Sequence, residues 1–593
     1  MASQFVSKSR RLLGVRRQQW IRGFFGTSAL ISSVVIFLIS IFLVWEAVRF
    51  FPAHRAELRL ARRSGQEYVD YLIRETAWSQ QVLGIFRQLY YRERDHRFAV
   101  ETGLIEGFEL FEEWIEELAE EEIEAWEVAL ASGDDDVRRA KERYLAKVRE
   151  IAREVRWAEV DPFGRLENNR TAREALIESV LEYDPLLGDR PALVIKASQH
   201  REQGLAVLEN AKRVAELSVK PLERLRDRLA GEALTIRRET EGRDDFDFAG
   251  RIEVIVEARG EHARAVRRLQ EGLGEAVAAL PVEVAAPAGR ALLVESQEAG
   301  RKLNERLQES LEASSVWDWR EEVGWGESAG AFFFGTEWRV GSGWRQVFGL
   351  LPLITGTLLV SLIAMAVAVP FALGAAVYVN QLATRREQTL IKPAIEMVQA
   401  IPSVVLGFFG VVVLGDLLME VSASSWLSWL PGFPVTERLN VLNAGLLLAL
   451  MAVPTVFTLC EDALQRVPRS LSEASLALGA SRVHTVSRVV IPVAFSGIVA
   501  GVLLGFGRVI GETMVVLLVA GNRIAMPDWG AGLGILTQPG HTMTGIIADE
   551  MGSVTTGTLH YRALFLLGLI LFVISLVVHL MAQRLVKRYL RHA

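Results

Sequence analysis

The sequence contains almost no cysteine: Cys460 is the only one in 593 residues. A single thiol cannot form an intramolecular disulfide, so packing alone must stabilise every folded part of the chain. The nine histidines are scattered without the spacing of metal ligands, and no metal site is predicted. The pattern Gly-x-x-x-x-Gly-Lys-Ser/Thr, which cradles nucleotide phosphates, is absent. No nucleophile–base pair stands out. The sequence therefore predicts a protein that is not an enzyme, with no catalytic residues and no cofactor.

Hydropathy is uneven along the chain, although the formal net charge is only −6. Apolar residues concentrate near the N-terminus and after about residue 345, while most acids lie between. A bilayer core requires about 20 apolar residues per helix, and a lipid-embedded span must be helical because lipid offers backbone groups no partners. Six segments meet this requirement, at about 24–48, 347–378, 398–419, 441–460, 493–520 and 563–586. The predicted fold class is an all-α integral membrane protein with six transmembrane helices.

Lysine and arginine predict the orientation of these spans. The basic side chains fall in four segments that share one side of a six-span protein: Lys8, Arg10, Arg11, Arg16, Arg17 and Arg22; Arg385, Arg386 and Lys392; Arg466, Arg469, Arg482 and Arg488; Arg584, Lys587, Arg588 and Arg591. Because basic loops stay in the cytoplasm, both termini are predicted to be cytoplasmic. Residues 1–23 are then a basic cytoplasmic N-terminus, and 24–48 form transmembrane helix 1. This first apolar run is too long for a signal peptide and is expected to remain as an anchor.

Residues 49–345 are consequently predicted to be an extracytoplasmic domain. Their Glu, Arg, Leu and Ala content favours helices, and strand-like alternation occurs only at about 251–257. Residues 101–127 hold a dozen acids and no base. This stretch is either a docking face for a soluble partner, a cation buffer, or an ordinary solvated helix face. Residues 314–345 are rich in Trp and Phe and predict a segment at or near the membrane interface. For Trp317, Trp319 and Trp325, a small core packed under the helical domain is the alternative.

A polar motif lies between the fourth and fifth predicted spans. Glu473-Ala474-Ser475 is followed after three residues by Gly479, and after nine more by Val489-Val490-Ile491-Pro492. This spacing resembles the cytoplasmic loop of ABC importer permeases, which docks on an ATPase subunit. The resemblance implies a coupling loop over 461–492, with a helix predicted to run from 461 to 478 and to stop at Gly479. The candidate ATPase contacts are Glu473, Ala474, Ser475, Gly479, Arg482 and Pro492.

Other motifs make the resemblance more specific. Residues 348–358, 400–410 and 507–514 are similar to those of the PstC-type permease subunits of phosphate-specific ABC importers. The resemblance covers about 330–593 well but does not extend to 49–345. It implies the type I ABC permease fold over 346–593, in the bacterial inner membrane. The implied partners are a second permease subunit, two copies of an ATPase and a periplasmic phosphate-binding protein, with no nucleic acid.

The candidate substrate pathway residues are Arg508, Glu512, Thr513 and Ser403. Charges inside an apolar span are costly and mark either a pathway or an internal ion pair. The spacing of Arg508 and Glu512 predicts that they share a helix face. Arginine suits an oxyanion because its planar guanidinium can bond two oxygens. The alternatives left open are a permease for another oxyanion or small solute, and a permease-like sensor or scaffold that uses the external helical domain.

Overall fold

A computed structural model describes residues 27, 30–31, 33–132, 137–153, 157–166, 169–186, 193–240, 246–341, 344–424, 432–435 and 437–590. The predicted basic N-terminus, 1–23, lies outside the described residues. Among these described residues, six helical segments are long and apolar enough to cross a membrane, which agrees with the predicted number of spans: Ser33–Arg63, Leu351–Leu382, Ser403–Ser422, Val441–Gln465, Arg482–Ile510 and Leu559–Leu585.

The chain divides into two compact units, Met1–Arg59 with Glu322–Ala593, and Leu60–Glu321. The first eleven helices are α1 (33–48), α2 (Phe50–Arg63), α3 (Gln66–Leu118), α4 (Glu120–Ser132), α5 (Val137–Arg153), α6 (Trp157–Val160), α7 (Arg170–Glu182), α8 (Leu193–Thr240), α9 (Phe248–Glu257), α10 (Arg259–Ala278) and α11 (Pro287–Ser315). The remaining helices are α12 (Trp325–Phe333), α13 (Leu351–Val377), α14 (Arg385–Met397), α15 (Ser403–Phe409), α16 (Gly415–Ser422), α17 (Val441–Gln465), α18 (Arg469–Ala477), α19 (Arg482–Thr485), α20 (Ile491–Ile510), α21 (Met514–Val519), α22 (Met543–Glu550) and α23 (Leu559–Leu590).

The Leu60–Glu321 unit is helical, as predicted. Its two long helices, α3 and α8, pack along each other and against α10 and α11. The strand-like alternation at 251–257 does not form a strand, because these residues belong to α9. Asp247 caps that helix by accepting a hydrogen bond from the backbone N–H of Ala249, and Ile252 and Ile255 are buried at helical spacing.

The acidic stretch 101–127 of this unit is divided between the end of α3 and the start of α4. Phe108, Phe111 and Ile115 of α3 are buried in a core shared with α5 and α7. Glu113 and Glu116 are exposed on the same helix. The burial pattern is that of a helix with one solvated, acidic face.

A buried polar chain connects three helices of the same unit. The Tyr68 hydroxyl lies 2.9 Å from Nδ1 of His262, and Nε2 of His262 lies 2.7 Å from Oε2 of Glu75. The Ser310 hydroxyl donates to the other Glu75 oxygen at 2.7 Å. Each polar side chain in this network has a hydrogen-bond partner. The network therefore fixes the register of α3, α10 and α11 and does not weaken the core.

In the other unit, small residues bring α20 close to α17. A β-carbon at Gly497, Gly501 or Gly505 would collide with α17 at Ala463, Leu459 or Val456, respectively; these are the contacts that glycine permits between membrane helices. The third span contains a π-helical turn, Gly410–Leu414. The Gly410 carbonyl accepts from the backbone N–H of Gly415 within the turn and also from the buried amide of Asn443 on α17, at 2.9 Å.

The aromatic segment at 314–345 divides between the units. Phe332 and Trp338 are buried with Phe50 and Phe348 in one core, next to a short hairpin that pairs Trp338–Arg339 with Val347–Phe348. Trp325 is exposed at the start of α12. The small-core interpretation, made for Trp317, Trp319 and Trp325, holds for Trp317, which is buried with its ring 5.1 Å from that of Tyr68, and fails for Trp325.

Candidate functional site

The polar segment after α17 is two helices rather than one. The prediction of a continuous helix over 461–478 is wrong: α17 ends at Gln465, and α18 begins at Arg469. Pro468 stands between them and explains the break, because it has no N–H to donate and disfavours helical geometry in the residue before it.

Gly479 ends α18, as its sequence position predicts. It adopts a left-handed backbone conformation with φ of 86°. Its N–H donates to the Leu476 carbonyl, and the N–H of Ala480 donates to the Ser475 carbonyl, at 3.0 and 3.2 Å. These two bonds form the Schellman motif, in which a glycine satisfies the free carbonyls of a helix end.

The chain then turns back beside α18. Ser481 caps α19 by accepting from the N–H of His484. The hydroxyls of Ser475 and Thr485 lie 2.9 Å apart and join α18 to α19. Pro492 lies inside the continuous helical segment Arg482–Ile510, directly after the π-helical turn Val486–Val490, and it has no backbone N–H to donate there. The segment is thus an ordered helical turn between two spans.

The surface of this turn combines polar and apolar side chains. Glu473, Ala474 and Arg482 are exposed. Leu476 and Leu478 are also exposed, and Leu478 keeps 90% of its accessible surface. We call Glu473, Ala474, Leu476, Leu478 and Arg482 the α18 surface. It provides apolar area flanked by charges of both signs, as protein-docking surfaces do.

Glu461 connects the α17 end to neighbouring elements. Its carboxylate accepts from Lys392 Nζ of α14 at 2.8 Å and from Asn380 Nδ2 of the π-helical turn Tyr378–Leu382 at 3.3 Å. Gln465, one turn further along α17, donates to the same oxygen. Glu461 is only 6% exposed, so this network satisfies a nearly buried charge. It anchors α14 to α17 eight residues before α18 begins.

The fifth span is interrupted close to its candidate residues. Helix α20 ends at Ile510, and α21 starts at Met514. The Thr513 hydroxyl donates to the Gly511 carbonyl at 3.3 Å, which replaces a helical partner. The expectation that Arg508 and Glu512 share the face of one helix is therefore wrong. Neither is ion-paired to the other among the described residues.

Arg508 reaches across to the fourth span. Its side chain is exposed, and Nη1 donates to the Thr455 hydroxyl near the middle of α17 at 3.2 Å. A guanidinium has five N–H donors, so this one bond leaves others for a further partner. The arrangement can hold an anion between α17 and α20.

The remaining candidates lie on either side of the interruption. Glu512 is half-buried, and its backbone carbonyl accepts from Thr544 of α22 at 2.8 Å. Ser403 is the half-buried first residue of α15. Helix α15 packs on α21, where Gly407 lies against Leu518. No contact between described residues joins Ser403 directly to Arg508.

Sequence reasoning missed Thr455 and Glu461. Thr455 follows Pro454, and its hydroxyl looked like an ordinary mid-helix group. Glu461 and Asp462 form an acid pair at the end of an apolar run, which was a usable signal for a polar anchor.

Comparison with known proteins assigns the membrane part. A family model described as the binding-protein-dependent transport system inner membrane component matches residues 368–591. The phosphate transport system permease protein PstC of Pasteurella multocida is 33% identical over 273 residues, which is 44% of this chain and 82% of that protein. PstC of Xylella fastidiosa is 32% identical over 270 residues, or 44% and 80% of the two chains. PstC 1 of Mycobacterium tuberculosis is 33% identical over 285 residues, or 44% and 83%.

Among solved structures, an inward-facing form of the MetNI methionine ABC transporter aligns with 41% of this chain and 94% of that one. Its identity of 16% and TM-score of 0.29 are too low to bear on the fold. The sequence alignments cover most of the length of each relative. The Leu60–Glu321 unit lies N-terminal to the residues that the family model matches. The chain therefore belongs to the PstC-type permeases, a family of binding-protein-dependent transport system inner membrane components, and carries an additional helical region.

Proposed function

We propose that this chain forms part of the translocation pathway for inorganic phosphate in an ATP-driven importer. The observation that carries the proposal is Arg508: an exposed guanidinium bonded to Thr455 between two apolar spans, in a chain whose relatives are named phosphate permeases. The fork of a guanidinium matches two oxygens of a phosphate, and its charge offsets part of the cost of moving a dianion through an apolar environment. Glu512, Thr513 and Ser403 belong to the same proposed pathway.

The energy for transport would come from another polypeptide, because no nucleotide-binding loop occurs in this sequence. The α18 surface would dock in a groove of an ATPase subunit, with its leucines providing contact area and Glu473 and Arg482 setting the register. Closure of two ATPase subunits would then move the paired permeases as rigid bodies. Ser475, Gly479 and Pro492 would hold the docking turn in shape.

The complete importer would contain this chain, a second homologous permease, two ATPase copies and a periplasmic phosphate-binding protein. The chain would lie in the bacterial inner membrane with both termini in the cytoplasm, and the 49–345 region would be extracytoplasmic. The permease itself would catalyse no chemical step.

Substitution of Arg508 tests the pathway. Arg508→Lys keeps the positive charge but loses the planar fork, and Arg508→Gln loses both. Hydrogen bonds to charged groups contribute about 1.5–3 kcal/mol, so we expect phosphate uptake at limiting substrate to fall about tenfold or more in Arg508→Lys and further in Arg508→Gln. The measurement is uptake of radiolabelled phosphate by cells that express the whole importer.

The matched control is Arg438→Lys, which alters an exposed arginine paired with Asp416 outside the proposed pathway. It should transport normally. Wild-type phosphate uptake by Arg508→Lys and Arg508→Gln, at normal membrane abundance, would contradict the pathway role. Equal loss in the Arg438 variant would show that arginine replacement acts through folding.

A further inference from the structure

The start of α22 lies against the interruption of the fifth span. Thr542 caps α22 by accepting from the N–H of Gly545 at 3.1 Å. The Thr544 hydroxyl, in the first turn, donates to the Glu512 carbonyl. The N–H of Met543 donates to the Thr357 hydroxyl of α13 at 3.0 Å. Three separate parts of the chain therefore meet at this helix end, which carries a partial positive charge.

His541 stands immediately before this cap and is 2% exposed. Neither ring nitrogen has a hydrogen-bond partner among the described residues. The ring lies over the first turn of α22: a β-carbon built on Gly545 would be 3.0 Å from Nδ1 of His541 and 3.1 Å from the Thr542 hydroxyl. A buried polar group without a partner is unfavourable, so two unbonded nitrogens at a helix N-terminus indicate a site that a ligand completes.

The chemistry of the imidazole ring limits which ligands could bind beside it. Burial lowers the pKa of His541, although Asp549 and Glu550 act in the opposite direction. A neutral imidazole has one N–H donor and one unprotonated acceptor nitrogen. A helix N-terminus favours an anion. The complementary ligand is thus an anion that both accepts and donates a hydrogen bond.

We propose that His541 is a specificity-determining residue for protonated oxyanions. Its N–H donates to an unprotonated oxygen of hydrogen phosphate, and its other nitrogen accepts the bond from the phosphate hydroxyl. Sulfate carries no proton at neutral pH, so it cannot donate a hydrogen bond to the unprotonated imidazole nitrogen. That nitrogen would instead face a negatively charged sulfate oxygen. The ring is enclosed in this conformation, and the contact forms when α22 and the interruption at 511–513 separate to admit the ion. This inference rests on the proposed function.

The test uses the purified complex with its partner subunits in nanodiscs, without the binding protein, so that selectivity is measured on the permease. The probe is radiolabelled inorganic phosphate, competed by arsenate, which is protonated like phosphate, or by sulfate. The wild-type complex should bind phosphate. Arsenate should displace the bound phosphate, and sulfate should not. His541→Leu removes both the donor and the acceptor of the imidazole, so the affinity for phosphate should fall about tenfold. Sulfate should then compete with phosphate for binding more effectively than it does in wild type. His541→Asn supplies an amide donor and carbonyl acceptor and should recover part of the preference.

Thr357→Val is the matched control, because it removes a hydrogen bond to the same turn without touching the imidazole. It should change thermal stability but not the preference for phosphate over sulfate. A second measurement needs no disruptive variant: the ¹⁵N imidazole resonance of His541, assigned by its absence in His541→Asn, should shift when phosphate is added to wild type.

Wild-type phosphate affinity and sulfate exclusion in His541→Leu would overturn the inference and leave the proposed function intact. An unshifted His541 resonance in a complex that binds phosphate would do the same. A wild-type complex that neither binds nor transports phosphate would overturn the proposed function itself.

Discussion

Truncation of Leu478 should weaken the contact between this permease and its ATPase. Leu478 follows the last residue of α18, and 90% of its surface is exposed, so almost the whole side chain is free to be buried by a partner. Full burial of a leucine contributes about 1.5–3 kcal/mol. Leu478→Ala loses most of that amount, and since 1.4 kcal/mol is a factor of ten, the Kd should rise about tenfold or somewhat more.

The same variant should hardly affect the fold of the permease. The hydrogen bonds that end α18 are made by backbone atoms of Gly479 and Ala480, and alanine favours helix. An exposed substitution of this kind changes stability by about 0.5 kcal/mol at most. The assay is biolayer interferometry of purified ATPase on the permease pair in nanodiscs, together with the number of ATP molecules hydrolysed per phosphate imported.

Val282→Ala is the matched control. Val282 is 93% exposed and lies in the Leu60–Glu321 unit, away from the α18 surface in sequence. It loses a comparable exposed apolar side chain and should leave Kd and stoichiometry unchanged. If Leu478→Ala also retained the wild-type Kd and stoichiometry, the docking role of the α18 surface would be refuted.

Three further predictions concern other residues. Asn443→Leu removes the buried amide that donates to the Gly410 and Arg438 carbonyls and should cost about 1–3 kcal/mol, seen as a lower melting temperature of the detergent-solubilised complex; an unchanged temperature contradicts it. Glu473→Lys should reduce ATPase co-purification or uncouple hydrolysis from uptake, and normal values of both would count against docking. Burial raises the pKa of Tyr144, so the neutral phenol is favoured in the folded state; the stability that it contributes is present below about pH 10 and lost as pH rises further. Tyr144→Phe should therefore make resistance to proteolysis less sensitive to alkaline pH, and an identical alkaline profile would argue against this.

The sequence predicted those features that depend on composition and regular spacing. Six spans follow from apolar runs that are long enough to cross a bilayer, and helix in the Leu60–Glu321 unit follows from helix-favouring residues. Gly479 was correctly predicted to end a helix, because a left-handed position strongly favours glycine.

Features that depend on tertiary partners were not predictable from spacing. The apolar run through Arg508 and Glu512 continues without a proline, yet the helix stops at Ile510, where Thr513 and α22 provide alternative backbone partners. The alternation at 251–257 resembled a strand, but Ile252 and Ile255 face a helical core. The partner of Arg508 on α17 likewise depends on how two distant spans pack.

Transport by the reconstituted complex tests the central claim most directly. The complete complex, with its ATPase and binding protein, would be placed in proteoliposomes and supplied with radiolabelled phosphate. We predict ATP-dependent accumulation of phosphate that stops when the separate ATPase is inactivated. Added sulfate should not reduce this accumulation. ATP-dependent accumulation of a different solute without phosphate, or phosphate accumulation that persists without the ATPase, would contradict the account.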